Sequence, residues 1–251
     1  MMIPQKPLAP TQADESRWQH TALRRRMLQG TWEQDLEDEL YRHLPSDRRE
    51  AWGPSDLSSN VFEQVTRQLA VLYTEKPIIT NATGDIEPLT GHDGYLYNAG
   101  LWPLMQRMQQ YTLGLRECIM RIDVSPHAHN SSASYPGIQY RIVTPDYVIC
   151  HASPDVPDEP TYFAEMRIRQ INDKHVYVYD VLDIRDKANP KFGMYIANQD
   201  GSIGDDVSKE VMGHPAHEGA NYPYFDSKGE PFLPIVMYHA EKTGYLWDTY
   251  A

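Results

Sequence analysis

Residues 162–184 decide the fold: Tyr162-Phe163-Ala164-Glu165-Met166-Arg167-Ile168-Arg169-Gln170-Ile171, then Asn172-Asp173-Lys174, then His175-Val176-Tyr177-Val178-Tyr179-Asp180-Val181-Leu182-Asp183-Ile184. Two runs rich in Val, Ile and Tyr flank a short polar loop, which is the composition of a β-hairpin. Phe192 to Ala197 reads as a third strand, entered through the turn Asn189-Pro190. Three short strands joined by tight turns predict an antiparallel meander. Towards the N-terminus, Gln139 to Cys150 alternates, with Pro145-Asp146 as a break or bulge because proline cannot donate to a ladder. Ile119 to Val124 alternates as well. Towards the C-terminus, residues 198–231 are rich in Gly, Pro, Asp and Asn and predict a long loop. A last strand is expected over Leu233 to Ala240.

Before Ile119 the period is helical. Thr11 to Gln29 places Trp18, Ala22 and Leu23 near one face, beside the basic run Arg24-Arg25-Arg26, and Gly30 is a natural stop. A second helix is expected over Thr31 to Leu44; its acidic start complements the helix dipole, and Pro45 ends it. In the third, Val61, Val65, Leu69 and Leu72 repeat at spacings of four, four and three, a stripe read as core-facing, with Ser59 or Asn60 as its cap. A fourth spans Ala99 to Cys118, with Leu101, Leu104, Met105, Met108, Tyr111, Thr112 and Leu115 on one face. The organisation expected is a flexible arm over 1–14, a helical region over 15–118 and a β-rich region over 119–251 that includes the long loop 198–231. Helices first and strands second define an α+β fold: N-terminal helices followed by an antiparallel β-meander.

Composition narrows the function classes. The chain has 251 residues, 41% hydrophobic and 23% charged, as a soluble globular protein does. Its longest apolar runs are a few residues, far from the ~20 that a spanning helix needs, so no membrane role is expected. Met1 to Asp14 lacks a basic segment followed by an apolar one, so it does not read as a secretory signal. The cysteines, Cys118 and Cys150, form no Cys-x-x-Cys pair, which excludes a disulfide framework and a cysteine-rich zinc module. Thirty-five acidic against twenty-three basic residues give a net charge of −12, which opposes a tight grip on nucleic-acid phosphates. Tyrosine is abundant, seventeen against five each of Phe and Trp. It suits strand packing, and also protein–protein contact, because the ring buries while the hydroxyl stays wet.

Catalytic patterns are absent. There is no Gly-x-x-x-x-Gly-Lys-Ser/Thr phosphate loop, no Gly-x-Gly-x-x-Gly after a strand and no Gly-x-Ser-x-Gly elbow. His217-Glu218 begins a zincin string that Gly219-Ala220-Asn221 does not complete. His127 and His129, with His214, could be imagined as metal ligands, since imidazoles two apart in an extended chain point to one side. They lie in polar loop sequence, which holds ligands too loosely. The carboxylate groups Asp155, Asp158 and Glu159, and Asp205 with Asp206, sit beside Pro or Gly and read as turn chemistry. Arg24-Arg25-Arg26 reads as a solvated face or a subunit contact. No catalytic residue, no metal and no cofactor are therefore expected, and the chain reads as a non-enzyme.

The order of segments resembles the N-terminal, wing-like half of a tailed-bacteriophage portal protein. Four stretches carry the resemblance. Arg24-Arg25-Arg26-Met27-Leu28-Gln29-Gly30-Thr31 resembles an early helix ending in glycine. Leu57 to Pro77 resembles a Ser/Asn cap, a helix and a small-residue–Leu–Tyr–x–x–x–Pro exit, here Ala70-Val71-Leu72-Tyr73-Thr74-Glu75-Lys76-Pro77. Tyr140 to Val148 resembles the strand entering the wing sheet, and Leu233 to Ala240 the proline-initiated strand before the channel helix. Portal proteins usually continue into a stem, a clip and a crown. This chain ends at Ala251, about where the stem begins, so no tunnel-lining residue is carried over. The resemblance implies a ring homo-oligomer, usually a dodecamer, at a capsid vertex of the virion. It implies as partners the capsid protein, terminase and head–tail adaptor proteins, with double-stranded DNA passing through the channel during packaging and ejection without sequence-specific binding. The competing readings are another phage head–tail or adaptor structural protein, and a metal-dependent hydrolase using the loop histidines.

Overall fold

A computed structural model describes residues 7–45, 48, 61–72, 100–125, 137–211, 221–241 and 244–247. Among them the chain forms helices α1 (Gln12–Gln29), α2 (Glu33–His43), α3 (Val61–Leu69) and α4 (Leu101–Leu115), then strands β1 (Glu117–Ser125), β2 (Gly137–Val143), β3 (Val148–Ala152), β4 (Pro160–Ile171), β5 (Lys174–Asp183), β6 (Lys191–Ala197), β7 (Ile203–Asp206) and β8 (Ile235–His239). This is the α+β architecture expected.

The strands form two antiparallel sheets, ordered β2-β1-β8 and β3-β4-β5-β6-β7. The second is a five-stranded meander, and the hairpin at its centre behaves as its sequence predicts. Asn172 and Asp173 take φ of 48° and 62°. Positive φ at both central residues makes the tight turn whose twist suits a hairpin, and Asn and Asp tolerate it best after glycine. Pro145-Asp146-Tyr147 forms a 3-10 turn between β2 and β3, so the break expected there moves the chain from one sheet to the other.

Alternation assigns the layers. On β1 the odd residue Ile119 faces the second sheet and joins Val143, Cys150, Phe163 and Leu182 in the central core. The even residues Cys118 and Met120 face α4 and pack on Met105 and Met108. The outer face of the second sheet, with Ile149, Tyr162, Ala164 and Tyr179, takes Trp18 of α1 and Leu8. α1 and α4 meet where a Cβ on Gly114 would approach Leu28 Cδ1 to 3.0 Å, so any larger residue there would require the Leu28 side chain to shift.

Four details differ from the expectations. First, the arm expected over 1–14 is partly engaged. Thr11 caps α1 in a reciprocal box with Asp14, and the Leu8 N–H donates to the Tyr162 hydroxyl at 3.1 Å. Second, α1 buries Asp14, Arg17, Thr21 and Leu28, and leaves Leu23 exposed. Part of the surface it meets is polar: the Val148 carbonyl accepts from Arg17 Nη2 at 2.8 Å and from Trp18 Nε1 at 2.9 Å. Third, the stripe of α3 faces outward, with Leu69 58% and Leu72 72% exposed, while Thr66 and Ala70 are buried. Small residues bring α3 close to α4, where Gln109 Oε1 accepts the Leu72 N–H at 2.9 Å. Fourth, the loop over 198–231 contains β7, whose Ile203 and Asp206 pair with Ala197 and Tyr195 of β6. Its Ile-Gly-Asp-Asp sequence carries no strand pattern, and a neighbouring strand edge makes it extend. Among the described residues no helix is long and apolar enough to cross a membrane.

Candidate functional site

The most unusual local chemistry lies between the two sheets. β1 and β2 place Arg121 directly opposite Arg141, and β4 and β5 place Glu165 directly opposite Asp180. Each pairing alone sets like charges side by side, which destabilises a sheet. Face to face the two sheets neutralise each other. Arg121 donates from Nε to Asp123 Oδ1 at 2.8 Å, from Nη1 to Glu165 Oε2 at 2.9 Å and from Nη2 to Asp180 Oδ2 at 2.8 Å. Arg141 donates to Asp123 Oδ2 at 2.8 Å and to both oxygens of Glu165 at 2.6 and 2.8 Å. Arg167 Nη1 reaches Asp180 Oδ2 at 3.2 Å. Three guanidiniums thus meet three carboxylates. Arg169, two residues beyond Arg167 along the same face of β4, is half-buried beside them, and burial together with the Arg167 and Arg141 charges lowers its pKa against the pull of Asp180 and Glu165.

Burial drives the Arg121 and Arg141 pKa values down, but their carboxylates reverse this and leave both above the ordinary arginine value. Burial likewise raises Asp123, and the two guanidiniums outweigh it and hold the carboxyl below its usual range. These groups stay charged and bond chiefly to one another. The cluster therefore acts as a lock that fixes how the sheets dock.

Outside this lock, on the α1–α4 side, lies a groove of about 430 Å³ whose walls include Arg25, Arg107, Arg141, Tyr111, Tyr140 and Tyr147. Arg25 Nε donates to Asp146 Oδ2 at 2.8 Å and its Nη2 to the Tyr147 hydroxyl at 2.9 Å. Arg107 lies over the Tyr111 ring, 5.6 Å from its centroid. A second, apolar groove of about 700 Å³ runs along the outer face of the β4–β5 hairpin past Trp18, Met166, Ile168, Tyr177 and Tyr179.

The residues nominated from sequence fare unequally. His127, His129, His214 and His217 lie outside the described residues. Around Asp155, Asp158 and Glu159 the chain makes a turn in which the Ser153 N–H donates to the Glu159 carbonyl at 2.8 Å. Asp206 Oδ1 accepts the Ser208 N–H at 2.9 Å, again turn chemistry. Among the described residues no group of three or more His, Cys, Asp or Glu is arranged to hold a metal. Cys118 and Cys150 are buried free thiols, and burial pushes Cys118 up to about 12, far from a reactive thiolate. The basic run divides: Arg25 pairs with Asp146, and Arg26 holds Asp35 of α2 by a two-pronged contact at 2.6 and 2.8 Å.

The interior charge lock escaped the sequence reading. Its signal was Glu165, Arg167 and Arg169 at alternate positions of a strand, on the face that Phe163 and Ile171 bury. Neither a protein-family model nor a curated protein sequence matches the chain.

Proposed function

We propose that the chain is a structural subunit of portal type, assembling into a ring at a capsid vertex through which viral DNA is packaged and ejected. The observation that carries this reading is the order of the four resembling segments. Their described residues, which in the second segment are 61–72, include the C-terminal end of α1, α3, β2 through the turn into β3, and β8. In such a subunit the residues work by holding shape, and a two-sheet body docked through an interior charge lock suits a scaffold that must resist deformation. The net charge of −12 suits a surface past which duplex slides without being held. On this reading the partners are further copies of the chain, capsid protein, terminase and head–tail adaptors, and the location is the virion.

The test is the state of the purified full chain. Negative-stain images and light-scattering mass are expected to show a ring with a central opening and a mass many times the 29 kDa of one copy. A particle that stays at one copy across micromolar concentrations overturns the proposal. In filter binding, duplex retention is expected to be weak and to vanish as salt rises towards physiological strength. Tight, sequence-selective retention there counts against it equally.

A further inference from the structure

We infer that the arginine–tyrosine groove receives the acidic outer face of α2 from a second copy, forming a head-to-tail contact between subunits. This inference rests on the ring reading and names the contact that would build it.

The groove is a local exception on an acidic chain: among the described residues three guanidiniums line it and no carboxylate does. Of the five N–H bonds that a guanidinium carries, Arg25 spends two and Arg141 three on partners that hold it in place. Their remaining donors have no partner among the described residues. Arg107 is exposed and pairs with no carboxylate among the described residues; its contacts there are the Tyr111 ring and a 3.5 Å contact with the Tyr111 hydroxyl. Tyrosine faces beside arginine give a wall that takes carboxylates together with the methylene stems that carry them.

The complementary surface is α2. Its Asp35 is committed to Arg26 of the same chain. At 100° per residue, Glu33 and Glu37 fall one turn apart on the side opposite Asp35. Neither pairs with a cation among the described residues. On α1, Arg25 and Gln29 share one face and line the groove, while Arg26 lies about 100° away and holds α2. With Asp35 pinned there, Glu33 and Glu37 point away from their own groove, so their carboxylates are presented to the groove of another copy. Groove and helix are different surfaces, and a contact between different surfaces propagates head to tail and closes into a ring when the rotation allows.

Sedimentation velocity at low and high salt tests this with three forms of the full chain: wild type, Arg107→Glu, and the double variant Glu33→Lys/Glu37→Lys. All these side chains are on helix surfaces, and circular dichroism checks that folding is kept; Arg107→Gln is the milder substitute. Each variant alone is expected to weaken self-association about tenfold or more. An equimolar mixture of the two is expected to regain wild-type mass, because glutamate in one groove then meets lysine on the other helix. Wild-type assembly unchanged in both variants overturns this contact and leaves the ring reading standing. Loss of assembly without rescue in the mixture shows that something else fills the groove. Loss of duplex retention in Arg107→Glu at unchanged mass makes the groove a phosphate site. A wild type that is a single copy at every concentration removes both inferences.

Discussion

The β4–β5 hairpin and α3 carry equally regular apolar patterns, and the structure treats them oppositely. In the hairpin the alternation is answered within the element. Tyr179 on one face packs beneath α1, and Val178 on the other lies in the interior. In α3 the stripe Val61, Val65, Leu69 and Leu72 is turned outward, and the inward face is Thr66 and Ala70. A strand brings its partner with it through a two-residue turn, so its pattern predicts both the pairing and the faces. A helical stripe states only which side is apolar. Which side is covered depends on a distant partner, and α4 is served better by a small-residue face that lets the helices close.

The largest effect that sharpens this contrast comes from the lock. Arg121→Met leaves two buried carboxylates, Glu165 and Asp180, and the partly buried Asp123 without their central cation and should cost about 3–5 kcal/mol, read as a lower urea midpoint. Arg121→Lys should recover little, because a single ammonium cannot serve three carboxylates on separate strands. A midpoint within experimental error of wild type in Arg121→Met would mean the charges are solvated, and the two-sheet docking described here is wrong.

Next comes the direct comparison of two leucines. Leu182 is 1% exposed and Leu69 58%. Leu182→Ala should cost about 2–5 kcal/mol, whereas Leu69→Ala should stay within about 0.5 kcal/mol. Leu69→Asp should leave a soluble folded chain. Loss of soluble protein in that variant restores the core-facing reading of the stripe. At the hairpin, Asp173→Val places a β-branched residue at φ 62° and should cost about 1–2 kcal/mol. Asp173→Gly should be neutral or slightly stabilising, since glycine suits that conformation.

How much was legible follows from the same physics. The fold class, the meander and the break at Pro145-Asp146 were readable because turn chemistry and period are local. The separation of β1, β2 and β8 into their own sheet was not, because β1 and β8 pair across more than a hundred residues and nothing local encodes that choice. The interior lock was written as charges on inward-facing strand positions, a pattern that reads as solvent exposure until an oppositely charged sheet is placed over it. Within the groove, Arg25 stood out in the basic run, while Arg107 and Arg141 looked like ordinary surface cations of separate elements.

The smallest expected effect concerns a histidine that the sequence did not single out. His151 on β3 is half-buried, its Nε2 3.9 Å from Asp14 Oδ2 and without a hydrogen bond. Burial lowers its pKa from the ordinary 6.5, against the pull of Asp14, and the nearby Arg17 and Arg185 add to the lowering. The folded state thus prefers neutral imidazole, and the unfolded chain takes up the proton first as pH falls. Stability from this group is complete above about pH 6.5 and declines as pH drops through the interval down to the lower folded value; beneath that interval the group contributes no further slope. His151→Gln should remove this component: the difference in melting temperature between variant and wild type should be constant above pH 7 and shift in the variant's favour between pH 6.5 and 5. Parallel melting curves across that range would show that Asp14 compensates the burial fully, and that the α1–β3 contact does not respond to acid.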